Sequence, residues 1–155
     1  MRMMNIAASL AVLISTPAFA GWQWSNWGMT PQQVTAAAPD RIGPYHDAKL
    51  DTPSLISELV TTHHAEGFDF SVAMLFDRST SGLAQVRLLL NDPDGMQCSA
   101  LSGSLRNVYG PPETVAVMGF RRWRDTAHGN LITIEPLGGC WLVYEPIPTS
   151  ETSRL

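Results

Sequence analysis

The sequence predicts an α+β fold in which an antiparallel sheet of about five to six strands carries two helices, in the order α-β-β-β-α-β-β-β. Two observations lead to this prediction. Several short segments alternate apolar and polar residues and are joined by tight turns, which is typical of neighbouring antiparallel strands. Two other segments carry helix-capping signals. The length of 155 residues suits one domain.

The first helix is predicted from Pro31 to Ala38, and Pro39 ends it. Thr30 occupies the N-cap, Pro31 the first helical position and Gln33 the third, which is the pattern of a capping box. A helix of about two turns is marginal by itself, so we expect it to pack against the domain.

Three strands are predicted after this helix. The segment 57–64 alternates weakly, and Glu66-Gly67 forms a tight turn. The segment 68–77 has the strongest strand pattern, because Phe, Phe, Val, Met and Phe occupy every second position. Residues 84–90 alternate again and are predicted as the return strand.

The second helix is predicted after Asp92, which can cap it, with Pro93 in its first position. Apolar residues then recur at spacings of 3, 4 and 3 residues and define one helical face. They are Cys98, Leu101, Leu105 and Val108. Gly110 is expected just beyond the end of the helix, where a left-handed residue is common.

Three further extended segments complete the predicted sheet. They cover 114–124, 131–135 and 140–145, and turns at 128–130 and 138–139 connect them. The second helix is therefore expected to cross one face of an antiparallel sheet.

The first twenty residues carry the features of a cleaved signal peptide. Arg2 supplies a positive charge, Ile6 to Ile14 form an apolar run, and residues 18–20 have the Ala-x-Ala pattern of a cleavage site. Nine helical residues rise only about 14 Å, which is too short for a hydrocarbon core of ~30 Å. We therefore expect residues 1–20 to be removed during export.

Residues 21–155 are then expected to form a single globular domain in the periplasm or outside the cell, with no transmembrane segment. Position 21 is Gly rather than Cys, so lipidation is not expected. Export also favours a disulfide between Cys98 and Cys140, because an even pair of cysteines enters an oxidising compartment. By chain entropy, closing this loop stabilises the fold by roughly 4 kcal/mol; two buried free thiols are the alternative.

The chain resembles small exported bacterial proteins that open with W-G-M-[ST]-x-x-[EQ]-V, a pattern present at 27–34. The resemblance continues in F-x-F-x-V-x-x-x-F at 68–76 and in C-x-x-L-x-x-x-L-x-x-x-Y-G-x-P at 98–112. The opening is also similar to outer-membrane assembly lipoproteins of the SmpA/OmlA type and to beta-lactamase-inhibitor-like domains. The resemblance implies an exported protein with the α+β fold predicted above, and it supplies no catalytic residues.

Two features are candidate binding surfaces. Three tryptophans, Trp22, Trp24 and Trp27, lie close together and could stack on sugars or sit at lipid headgroups, or else pack against the domain. Arg122 and Arg124 share one face of a predicted strand. They could bind an anionic glycan, a phospholipid headgroup or an acidic partner, or else form a solvated strand face.

Sequence patterns of catalysis and metal binding are weak. The chain contains neither G-x-S-x-G nor S-x-x-K. His63 and His64 are adjacent and would point to opposite faces of a strand, so they would not bind one ion together. His46 and one of these two histidines would give only two ligands, whereas a zinc site typically needs three or four. We therefore predict no metal ion and no cofactor.

The composition excludes one class of partner. Ten basic residues stand against fourteen acidic ones, and the formal charge of −4 disfavours nucleic acid. The sequence therefore predicts a non-catalytic exported binding or interaction module, with an envelope protein or glycan as possible partner. Two alternatives stay open: a small periplasmic hydrolase with an unrecognised site, and a periplasmic enzyme inhibitor.

Overall fold

The structure is a computed structural model that describes residues 20–92, 95–115 and 117–148. Apart from Ala20, the predicted signal peptide lies outside the described residues, as does the predicted helix opening at Pro93. The elements in these ranges are β1 Gly21–Trp22, β2 Ser25–Asn26, α1 Pro31–Ala37, β3 Gly43–Pro44, β4 Leu55–Ala65, β5 Phe68–Asp77, β6 Leu83–Leu90, α2 Gln97–Tyr109, β7 Thr114–Val115, β8 Arg121–Asp125, β9 Asn130–Glu135 and β10 Trp141–Pro146.

The predicted α+β class with an antiparallel sheet is confirmed. Within the described residues, the main sheet has eight strands in the order β3-β4-β5-β6-β10-β9-β8-β7, and β1 pairs with β2 in a separate ribbon. All neighbouring strands pair antiparallel. Strand β10 joins two meanders, because it pairs with β6 on one side and with β9 on the other.

The predicted number and order of strands were wrong. The ribbon and the short edge strands β3 and β7 have two residues each, so they leave no alternation to read in the sequence. The predicted strand 114–124 is in fact two strands separated by a 3-10 turn at Val117–Gly119. Met118 and Gly119 have φ angles of 71° and 87°, and this left-handed pair turns the chain so that β7 pairs with β8.

Helix α1 confirms its capping box. The Thr30 Oγ1 atom accepts a hydrogen bond from the Gln33 backbone N–H at 3.3 Å, and the Gln33 side chain accepts one from the Thr30 N–H at 2.9 Å. Val34 is fully buried and anchors the short helix to the core. The helix ends at Ala37, one residue before the predicted end.

Helix α2 begins at Gln97, several residues after its predicted start. The Asp92 carboxylate accepts hydrogen bonds from the backbone N–H groups of Met96 at 3.1 Å and Gln97 at 2.7 Å. Asp92 therefore caps the start of α2, although it lies in the preceding loop and not at the N-cap position itself. Val108 was wrongly placed on the buried face, since it is 71% exposed. Gly110 ends the helix with a φ angle of 81°, as expected for a left-handed terminal glycine.

The predicted disulfide is present. Cys98 in α2 and Cys140, directly before β10, are joined by an S–S bond, and their Cα atoms lie 5.7 Å apart. The bond therefore links the covering helix to the centre of the sheet.

The main core lies between α2 and the sheet face beneath it. Its largest fully buried members include Trp123, Phe76, Met74 and Ile132. On the opposite face, a smaller cluster packs Leu50 from the loop after β3 against Leu75 of β5. No helix in the described ranges is long and apolar enough to cross a membrane.

Candidate functional site

A cleft opens between α2, the sheet and the β1–β2 ribbon, and one part of it is apolar. This apolar cavity has a volume of about 160 Å³. Most of its wall consists of core side chains from three strands and the helix. They are Phe68, Phe70, Leu88, Leu142, Leu101 and Leu105.

A second cavity of about 280 Å³ adjoins the first and is polar. The two cavities share four wall residues, which are Trp22, Gln23, Tyr109 and Tyr144. The polar cavity is further lined by Gly21, Asp125, His128 and Asn130. An apolar chamber and a hydrogen-bonding chamber thus lie side by side, which is the usual composition of a small-molecule site.

The ribbon is held in place by specific contacts. Trp22 is 4% exposed, and its ring meets that of His63 edge-on, with 5.3 Å between centroids. The Ser25 hydroxyl donates to the Trp22 carbonyl at 2.7 Å and closes the turn of the ribbon. Asn130 accepts from Trp27 Nε1 at 2.9 Å and donates to the Gly21 carbonyl at 2.8 Å. These contacts place the ribbon as one wall of both cavities.

Asp125 and His128 form a pair in the polar cavity. The Asp125 carboxylate lies 2.8 Å from His128 Nδ1 and also accepts from the His128 backbone N–H at 3.2 Å. Asp125 is 8% exposed, whereas the imidazole of His128 is exposed. The carboxylate therefore orients the ring, and this is the arrangement that general-base histidines use.

Two phenols complete the polar cavity. Burial raises the pKa of Tyr144 well above its usual range, and the neighbouring Tyr109 and Asp125 add to the effect. Burial also raises the pKa of Tyr109, again with a contribution from Asp125. Both phenols therefore keep their protons at neutral pH and can donate hydrogen bonds to a ligand.

His63 belongs to the apolar cavity. Its ring stacks on Phe70 with 6.3 Å between centroids, and it faces Trp22 on the other side. Burial lowers the pKa of His63, and the adjacent His64 lowers it further. The neutral imidazole is thus the form that suits this wall.

The structure separates the two predicted surfaces. Trp22 lines the cleft, and Trp24 and Trp27 are half-buried against the core. Arg122 and Arg124 lie on the other face of the sheet, since they alternate with the buried Trp123. The tryptophans and the two arginines therefore do not form one surface.

The two arginines differ in their contacts. Arg122 is exposed, and its Nε atom donates to the Thr133 hydroxyl at 3.4 Å. Arg124 pairs with Glu113, with 3.1 Å between Nε and Oε1. The alternation predicted for this segment holds over β8, because Arg121 points to the helix side and donates to the Ser102 hydroxyl of α2.

The predicted opposite orientation of the adjacent histidines is confirmed. His63 faces the cleft, whereas His64 pairs with Asp69, at 2.7 Å between Nδ1 and Oδ1. His46 lies 3.7 Å from Asp51. Among the described residues, no group of three or more His, Cys, Asp or Glu side chains is placed to hold a metal ion.

Sequence reasoning missed the polar cavity. Asp125 falls just after the predicted strand 114–124, and His128 was interpreted only as part of a turn, although their spacing of three residues allows a local side-chain pair. Tyr109 and Tyr144 come from a helix end and a strand 35 residues apart, so only the tertiary fold brings them to this pair.

The fold and cleft define a small α+β domain with a helix linked by a disulfide to an antiparallel sheet. The chain matches no family model, no curated protein and no solved structure. The resemblance to exported bacterial proteins therefore stays a prediction.

Proposed function

We propose that the protein is a non-catalytic, exported binding module and that the cleft holds its ligand. The observation that carries the proposal is the shared wall of the two cavities, at Trp22, Gln23, Tyr109 and Tyr144. A ligand that spans this wall has an apolar body and a hydrogen-bonding head.

Each chamber suits one part of such a ligand. The apolar chamber offers apolar surface from core residues such as Phe68 and Leu105, and burying an apolar group there is favourable by about 25 cal/mol per Å². The polar chamber offers the Asp125–His128 pair and the phenols of Tyr109 and Tyr144. These groups fix orientation, as the few polar groups of small-molecule sites do.

Export to the periplasm or the medium is part of the proposal. The Ala-x-Ala pattern at residues 18–20 supports it at the sequence level. The disulfide between Cys98 and Cys140 supports it at the structural level, since such bonds persist in oxidising compartments.

The test uses protein exported by a bacterial host and incubated with the low-molecular-mass fraction of an envelope extract. Native mass spectrometry is expected to show a retained small molecule. Ser104→Phe fills the apolar chamber from a half-buried helix position and is expected to abolish retention. Asn107→Phe, on an exposed position of the same helix outside the cavity lining, is the matched control and should retain the molecule. Equal retention in wild type and Ser104→Phe would contradict the proposal.

A small hydrolase is a second candidate, and the Asp125–His128 pair favours it. A histidine oriented by a carboxylate can take a proton from water or from a hydroxyl nucleophile. Turnover of chromogenic esters, phosphates or glycosides that is lost in His128→Gln would favour the enzyme. Ligand retention without turnover would favour the binding module.

The face that carries Arg122 and Arg124 is proposed as the contact with an envelope partner. The exposed guanidinium group of Arg122, next to the partly exposed Arg124–Glu113 ion pair, supports an acidic protein surface or an anionic glycan as that partner. This surface and the cleft lie on opposite faces of the sheet, so both can be occupied together.

A further inference from the structure

We propose that signal-peptide cleavage after Ala20 creates a functional group of the polar cavity, namely the α-ammonium group of Gly21 facing Asp125. The inference rests on the export part of the proposed function. In the cleavage step, a signal peptidase uses water to hydrolyse the Ala20–Gly21 peptide bond. The carboxylate stays on Ala20, and the freed amine of Gly21 takes up a proton.

The position of Gly21 carries this inference. Gly21 and Asp125 line the same cavity of about 280 Å³. Strand β1 holds Gly21 opposite Asn26, and the Asn130 side chain donates to the Gly21 carbonyl at 2.8 Å. The new terminus would therefore begin at an anchored residue at the cavity wall.

Only glycine fits at this position. A Cβ atom on residue 21 would lie 2.0 Å from the Ser25 carbonyl oxygen and 2.8 Å from the Cα atom of Asn26, and both are backbone atoms that cannot move aside. The residue that follows the cleavage site is thus set by the close approach of the two ribbon strands, in addition to any preference of the peptidase.

Before cleavage, Ala20 lies beside the β1–β2 ribbon and Gly129 and is not among the residues that line the cavity. Its carbonyl accepts from the Trp27 N–H at 3.1 Å. A Cβ atom added at Gly129 would lie only 2.7 Å from the Cβ atom of Ala20. Cleavage removes this residue from beside the His128–Gly129 turn and replaces a neutral amide with a cation.

The ammonium group would change the charge balance of the cavity. The titratable groups around it come from four elements: Tyr109 of α2, Asp125 of β8, His128 of the following turn and Tyr144 of β10. Asp125 is the carboxyl group of this set, and both phenols hold their protons at neutral pH. A carboxylate within about 4–6 Å raises the pKa of an ammonium group, whereas burial alone would lower it, so a raised pKa of the Gly21 amine would report the nearby carboxylate.

The test measures the ionisation of this amine in exported, processed protein. Mass spectrometry first establishes the terminal residue. Amines are then reductively dimethylated with ¹³C-formaldehyde and a borane or cyanoborohydride reductant, and the methyl signals are followed by NMR against pH. Lys49, the single lysine of the sequence, is exposed and provides an internal reference.

We expect the Gly21 amine to titrate about one unit above the usual range of ~7.7–8.0, and Asp125→Asn to remove this increase while Lys49 is unchanged. A second variant carries one extra alanine between Ala20 and Gly21. Its processed terminus is displaced from the cavity, so its amine should titrate normally whether residue 125 is Asp or Asn. This variant keeps the test decisive if Asp125→Asn does not fold.

Two results would overturn the inference, and they are distinguishable. A terminus at Gly21 whose amine titrates in the usual range overturns the role of the ammonium group and leaves the exported binding module standing. A terminus at any other residue overturns the predicted cleavage itself, and the inference falls with it.

Discussion

The indole Nε1 atom of Trp27 donates a hydrogen bond to Oδ1 of Asn130 at 2.9 Å, across 103 residues of chain. The same Asn130 donates from Nδ2 to the Gly21 carbonyl at 2.8 Å. One buried amide thus uses both of its ends to fasten the β1–β2 ribbon to the first residue of β9. Because Trp22 in this ribbon is a wall of both cavities, the amide also holds the cleft together.

Asn130→Ala is expected to lower the free energy of unfolding by about 2–3 kcal/mol, because it leaves the partly buried indole N–H of Trp27 and the carbonyl of Gly21 without their partner. Urea unfolding measures the loss, and hydrogen exchange should show faster exchange over residues 21–28. Asn107→Ala, at an exposed helix position, is the control and should change stability little. A loss below about 0.5 kcal/mol in Asn130→Ala would contradict the fastening role.

Local signals in the sequence predicted the local structure well. The Thr30–Gln33 capping box and the alternation in 68–77 each depend on residues close together in the chain, and both are present. The disulfide was also predicted, because two cysteines admit only one pairing. These features need no knowledge of the rest of the fold.

Features that depend on distant residues could not be predicted in this way. The apolar spacing placed Val108 with Leu105, yet Val108 lies at the open side of the cleft and is exposed. The left-handed conformation of Met118 divides a segment whose composition suits a continuous strand. The polar cavity gathers residues from a helix, four strands and two turns, and only the tertiary fold brings them together.

Removal of the disulfide by Cys98→Ala/Cys140→Ala is expected to destabilise the protein by roughly 4 kcal/mol or less, because the bond closes a loop between cysteines 42 residues apart. Denaturant unfolding of the exported double variant measures the change. The wild type in the presence of a reductant should approach the same stability. If the double variant and the wild type unfold at the same denaturant concentration, α2 is held by packing alone.

Stability is expected to fall on acidification because of His63. Its folded-state pKa is lowered by burial and by His64, so the unfolded chain takes up a proton first as the pH drops below about 6.5. The contribution of neutral His63 to the free energy of unfolding is therefore present in full above that pH. It is lost as the pH falls towards the lowered folded-state pKa. Urea unfolding at pH 7.5 and pH 5 compares wild type with His63→Phe, which should lose less stability on acidification.

His64→Gln is the matched control for this experiment. It lies next to His63 on the same strand, and its side chain points to the opposite face, where it pairs with Asp69. It should keep most of the acid-dependent loss that His63→Phe reduces, because burial, the larger cause of the lowered His63 pKa, is unchanged. The same pH dependence in His63→Phe and wild type would show that the cleft histidine does not cause the loss.

The arginine surface is tested by the double variant Arg122→Ala/Arg124→Ala. If this face binds an acidic envelope partner, affinity capture from an envelope extract should recover that partner with wild type and lose it with the variant, more strongly at low salt. The fold should survive, since Arg122 is exposed and the Arg124–Glu113 ion pair is partly exposed, where such pairs contribute little. Arg41→Ala/Lys49→Ala removes the same charge from exposed positions outside β8 and should leave capture unchanged. Identical partner lists for all three proteins would remove the arginine surface from the proposal and leave the cleft as the binding site, because the two lie on opposite faces of the sheet.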